Sequence, residues 1–178
     1  RQRQRWDQLL SRAGKSIFKQ VINKDSGQAQ VTSFTAQVAE VSVDPQTGQV
    51  KLLRFTTAHD TGTIMNPIGH QGQIDGGVIQ GVGFGLMEQL LVDEGHVTTL
   101  HFGDYKIPTV KDIPPLRTVI LQGQNGVGPY NVKGIGENPN TPVAAAIANA
   151  VEDAVGVRIR DLPVTSEKVF QALRAKRG

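Results

Sequence analysis

A helix with five glycines in its interior must pack tightly against something, and this chain contains one. From Gln71 to Leu91 apolar residues recur every four positions, at Ile74, Val78, Val82, Leu86 and Leu90, with Ile79 and Leu91 beside them. That period predicts a helix of about twenty residues. Within it stand Gly76, Gly77, Gly81, Gly83 and Gly85, each about 0.8–1 kcal/mol worse than alanine in a helix interior, or roughly 4–5 kcal/mol together. Gly77, Gly81 and Gly85 are spaced by one turn and form a bare stripe. The stripe admits close packing of the helix on a sheet, or contact with a flat ligand, and the two can hold at different ends. Paired membrane helices use the same spacing, but Gln73, Asp75, Gln80, Glu88 and Gln89 exclude that here.

The second constraint is Asn131 to Ala150, NVKGIGENPNTPVAAAIANA. Gly134 and Gly136 bracket Ile135, so the backbone there can take conformations closed to other residues and can come close to a ligand. Glu137 follows at once. Thr141 and Pro142 then supply an N-cap and a first-turn proline. Val143 to Val151 is nearly all Ala, Ile and Val, which predicts a helix buried on most sides. Glu137 has two readings from spacing alone: a helix-start carboxylate that favours the macrodipole, or a group with a chemical task.

Residues 6–22 have loosely helical spacing at Trp6, Leu9, Leu10, Ile17, Val21 and Ile22, before a polar loop. Alternation at Val31, Phe34, Ala36, Val38, Val41 and Val43 reads as a strand. The turn Asp44–Gly48 has Pro early and Gly late, and a second strand runs over 49–58, so residues 31–58 form a β-hairpin. Strands are also expected at 97–100, 116–122 and 157–162, and a terminal helix at 165–176 with Val169, Phe170 and Leu173 on its apolar face. The fold class is α+β: two layers, a mixed β-sheet with helices packed mainly on one face. Residues 1–30 are read as an N-terminal helix and loop, and 31–178 as the main domain.

With 38% hydrophobic and 20% charged residues, the chain has the composition of a globular protein with a real core. The net charge of +3 is too small to argue for nucleic acid, and much of it lies in the terminal runs Arg1–Arg5 and Arg174–Gly178. The chain has no cysteine, which removes disulfides, thiolate metal sites and a cysteine nucleophile from it. No window is apolar enough to span a bilayer. The start is polar and basic, so no signal peptide is expected, and the first residue is Arg, as in a processed product or a fragment.

Asp60-Thr61-Gly62 matches the triplet of aspartic proteases, but a second such triplet is missing. Gly81-Val82-Gly83-Phe84-Gly85 lacks dinucleotide-binding spacing and falls in mid-helix. His59, His70, His96 and His101 are scattered and read as loop or surface residues, with no protein-ligated metal expected.

Three blocks, D-x-G-x-x-x-N-P from Asp60, G-Q-x-x-G-G-x-x-Q-G from Gly72 and K-G-x-G-E from Lys133, stand in one order. Together with DYKIPT and the run to DLPVT, they make residues 31–173 resemble the C-terminal part of the molybdopterin-binding subunit of the xanthine dehydrogenase/aldehyde oxidase family. The resemblance implies that residues 31–178 are a molybdopterin-binding domain, a piece of a larger catalytic subunit or a small subunit, inactive alone. Glu137 matches the family's active-site base, which acts while water-derived oxygen passes to an electron-poor carbon of an aldehyde or N-heterocycle. Gln73 matches a residue that hydrogen-bonds the pterin, with Gly72 beside it, and the backbone at Gly134, Ile135 and Gly136 lines the metal site. Lys133 is either a site residue or a solvated loop charge.

The implied cofactor is molybdenum held through molybdopterin, not by protein ligands. Implied partners are the N-terminal half of the subunit, iron–sulfur and flavin (FAD) units that pass electrons on, and a small-molecule substrate, in the cytoplasm. Asn138-Pro139-Asn140 departs from the loop that often follows the family's glutamate, so substrate preference does not carry over. A cofactor-free scaffold module with the same fold and an independent carboxylate hydrolase are the alternatives.

Overall fold

The computed structural model describes residues 33–124, 126 and 129–177, so the helix expected over 6–22 lies outside the described residues. These residues belong to one compact unit spanning 31–178. Strand β1, Thr35–Val43, pairs antiparallel with β2, Val50–Asp60. Asp44 shapes the turn between them: the Gln46 amide donates to its Oδ1 and the Thr47 hydroxyl to its Oδ2. The register shifts between Glu40 and Val41, a bulge that keeps Val41 and Leu52 on the inner face with Phe55.

Helix α1, Pro67–Leu86, carries the chain from β2 over the sheet. A two-residue ladder of β3 (Val92–Asp93) and β4 (His96–Val97) follows. Strand β5, Leu116–Leu121, then pairs parallel with β2, giving a mixed sheet of order β1-β2-β5. Helix α2, Val143–Val155, packs on β1 and α1, and α3, Ser166–Arg177, closes the chain. Sheet and helices form the two layers that the alternation predicts.

Two apolar clusters fill the space between the layers. Phe55 of β2 meets Val78 and Val82 of α1 and Val143 and Ile147 of α2. Ala148 and Val151 of α2 meet Val157, Val164, and Val169 and Leu173 of α3. The sheet's other face leaves Phe34, Val38, Val119 and Leu121 exposed.

Several boundaries differ from the sequence reading. Helix α1 begins at Pro67 because the Asn66 side chain accepts from the Gly69 amide and Pro67 fits the first turn. It ends at Leu86, where the amides of Met87 and Glu88 both donate to the Gly83 carbonyl. The glycine stripe packs on α2 and the loop before it, not on the sheet: added methyls would meet Pro139 at Gly77, Val143 at Gly81, and Ile147 and Ala144 at Gly85. Helix α2 is buried along one stripe only, with Ala145 and Asn149 exposed. The strand expected at 157–162 does not form. Gly156 ends α2 in the left-handed region (φ 68), and Arg158 turns back to Glu152 and Asn149, so its alternation buries side chains without a ladder.

Candidate active site

Glu137 lies in the turn between the bridge Gly62–Val132 and the start of α2. Its side chain is exposed, and its carbonyl accepts from the Asn140 amide at 3.1 Å and from the Thr141 hydroxyl at 3.3 Å. Thr141 therefore braces Glu137 instead of capping α2; the cap position falls to Pro142, which makes no side-chain bond.

Three contacts fix this turn to the rest of the fold. Pro139 sits against Gly77, where an added Cβ would be 2.7 Å from the Pro139 Cβ. The Asn140 carboxamide donates to Gln80 Oε1 at 3.2 Å. From the sheet side, Gln37 Nε2 donates to the Pro139 carbonyl at 2.7 Å.

Gln73 is exposed one turn before Gly77, about 6 Å along the helix axis. The Gly77–Pro139 contact thus brings the segments of Gln73 and Glu137 to one end of the α1–α2 packing. The two side chains make no hydrogen bond with each other among the described contacts. Gly72, Gly134 and Gly136 have nothing within 4 Å of an added Cβ, so all three present open backbone. None has a positive φ, so the expectation of an unusual conformation at Gly134 and Gly136 is corrected; the room for close approach is what the glycines supply. Ile135 between them is half-buried. An open hollow of about 530 Å³ lies beside this loop, lined by Ser33, Thr35, Gly134, Asn138, Thr141 and Pro142.

Lys133 is not a solvated charge. Its side chain is 2% exposed and its ammonium contacts Asp60 Oδ2 at 2.5 Å. The pair ties the start of the Gly134–Glu137 segment to the end of β2. It also gives the Asp60 carboxylate an ammonium partner, which is not the shared proton of a protease dyad.

Beneath the turn lies a buried polar group that the sequence reading passed over. His59 is fully buried, against the expectation of a loop or surface residue. The Pro139 carbonyl only accepts, so it orients the Gln37 amide with nitrogen toward both Pro139 and the Thr57 hydroxyl, 3.0 Å away. The Thr57 hydroxyl lies 2.6 Å from His59 Nε2 and the Thr35 hydroxyl 3.2 Å from His59 Nδ1, so each ring nitrogen has a hydroxyl that can donate or accept as the tautomer requires. Burial, and next the charge of His70 when that ring is protonated, hold His59 below its ordinary value. Burial also lowers His70, whose Nε2 has no partner among the described residues. The signal was in the pattern. Thr35 and Gln37 share the inward phase of β1, and Thr57 and His59 share that of β2, so polar residues stand where the alternation calls for apolar ones.

The arrangement offers an accessible carboxylate on a braced turn, an accessible carboxamide that can donate and accept, and open glycine backbone near both. Among the described residues no group of three His, Cys, Asp or Glu could hold a metal ion, and no helix is long and apolar enough to cross a membrane.

Comparison with known proteins finds a match to the molybdopterin cofactor-binding domain over residues 5–114. The large subunit of nicotine 6-hydroxylase from Paenarthrobacter nicotinovorans is 41% identical over 75% of the chain, and the chain covers 17% of that protein. The xanthine dehydrogenase molybdenum-binding subunit of Escherichia coli is 36% identical over 78% of the chain and is covered to 19%. Among solved structures, aldehyde oxidoreductase from Desulfovibrio gigas superposes with a TM-score of 0.73 and 37% identity, covering 80% of this chain and 15% of its own. The chain thus spans less than a fifth of the length of each of these relatives.

Proposed function

Because this chain belongs to the molybdopterin cofactor-binding domain family, as found in the molybdenum-binding subunits of xanthine dehydrogenases and aldehyde oxidoreductases, we propose that it is the C-terminal part of a molybdenum hydroxylase. In this reading residues 31–178 are the domain that meets the cofactor, and the chain is inactive alone. It works in the cytoplasm, with the rest of the molybdenum-binding subunit and with iron–sulfur and flavin units. The substrate is an aldehyde or N-heterocycle that receives oxygen from water.

The residues present fit such a cofactor. A pterin edge presents donors and acceptors side by side, which the exposed Gln73 carboxamide can match, and Gly72 leaves the adjacent backbone uncovered. The open faces of Gly134 and Gly136 leave room for a bulky group beside the Ile135 backbone. When bound, molybdenum-molybdopterin supplies the two-electron oxidation of the substrate carbon. Glu137 takes the proton of the attacking water-derived hydroxyl, and its braced turn fixes the backbone from which the carboxylate projects. Lys133 and Asp60 anchor the segment and take no part in proton transfer.

The observation that supports this reading is the packing of Pro139 on Gly77, which brings the segment that carries Glu137 and the helix turn that carries Gln73 to one end of the α1–α2 packing. The test is Glu137→Gln in the complete complex. We expect molybdenum and pterin contents equal to wild type and turnover reduced about 10²–10⁴-fold. Full turnover in that variant rejects the base role. A native complex free of molybdenum and pterin rejects the cofactor reading and favours a scaffold module.

A further inference from the structure

We infer that Gln37 is a positioning residue for Glu137, acting through the carbonyl of Pro139; this rests on the function proposed above. Gln37 projects from the inner face of β1 and uses its amide nitrogen twice, toward Thr57 Oγ1 at 3.0 Å and toward the Pro139 carbonyl at 2.7 Å. Pro139 is buried, and its carbonyl accepts no other described bond. Two residues earlier, the Glu137 carbonyl is held by Asn140 and Thr141. Those two bonds only close the turn on itself. The bond from Gln37 ties the closed turn to the sheet, while Gly77 and Gln80 set it against α1.

The chemistry asks for this side chain. Two acceptors must be served from one atom, which an NH₂ group can do and a carboxylate or thioether cannot. The service has a cost, because Gln37 Oε1 is buried with no partner in the described structure. A methionine of similar size would remove that unpaired oxygen, so packing alone does not account for an amide here. What the amide adds is a fixed Pro139 carbonyl, and with it a fixed base two residues away.

The experiment uses the complete complex carrying Gln37→Met, Glu137→Gln, the double variant and Gln37→Glu. We expect Gln37→Met to load molybdenum and pterin normally, to keep KM within about twofold and to lose about 10–100-fold in kcat. Hydrogen exchange is expected to rise at residues 137–141 and not in β1 or β2. In the Glu137→Gln background the same change should cost nothing further, because it acts only through the base. In Gln37→Glu the introduced carboxyl can donate only while protonated, so turnover relative to wild type should fall as pH rises. Unchanged kcat in Gln37→Met, an equal loss with and without Glu137, or a flat relative pH profile in Gln37→Glu would overturn the assignment. If Gln37→Met fails to load, the relative pH profile of Gln37→Glu decides. Full turnover in Glu137→Gln alone would instead remove the base on which the assignment rests.

Discussion

Gly81 faces Val143 with no room for a methyl: a Cβ built on Gly81 would lie 2.5 Å from the Val143 Cβ. Gly76, in the same helix, would meet nothing within 4 Å. Gly81→Ala is therefore expected to destabilise the chain by about 1–3 kcal/mol from overpacking. Gly76→Ala should stabilise it by about 0.5–1 kcal/mol through helix propensity. Urea unfolding midpoints of the two variants test this, and shifts of the same sign would contradict the packing.

Breaking the Lys133–Asp60 pair from one side should be costly. With the lysine side chain 2% and the aspartate 14% exposed, Lys133→Met takes the ammonium from a largely buried carboxylate, and Asp60→Asn takes that carboxylate from the ammonium. A loss of about 3–5 kcal/mol is expected for each single change and clearly less than their sum for the double variant. A double-mutant cycle in denaturant measures it.

His59 gives the fold a pH dependence of known sign. Its folded value lies below the ordinary 6.5. The unfolded chain therefore binds more protons between the two values, and stability rises with pH across that window. The contribution is complete above about 6.5 and is lost as pH falls toward the folded value, with His70 adding in the same direction. Unfolding midpoints between pH 7 and pH 5 (about one to two units around the reference value) should fall more steeply in wild type than in His59→Gln.

Gly48 is the seat of α3. It has φ 74, and a side chain there would run into the Ser166 carbonyl and the Phe170 amide. Gly48→Ala should lift α3 from the hairpin turn and cost about 2 kcal/mol or more from strain and clash together. Amide exchange over 166–177 should rise well before that of β1 or β2.

How much of this was legible beforehand depends on whether a residue's partner is local. The hairpin could be read because its turn and alternation are sequential, and α3 because Val169 and Leu173 keep helical spacing. Glu137 and Gln73 could be picked out as motif residues, and a resemblance joined them. What the pattern could not give was the partner of the glycine stripe, because helix and sheet both reward small residues. Nor did it show that Lys133 reaches Asp60, 73 positions away, or that Gln37 reaches Pro139 across 102. The 157–162 segment failed for the same reason: alternation reports burial, and a strand also needs a neighbour to bond.

The span of the Gln37–Pro139 bond also sets an order of assembly. A hairpin closes a short loop and can form while the chain is still emerging, whereas a tie across 102 positions must wait for residue 139. The turn that carries Glu137 is thus tied to the sheet only after residue 139 has emerged, and any cofactor insertion that reads this turn comes later than the hairpin.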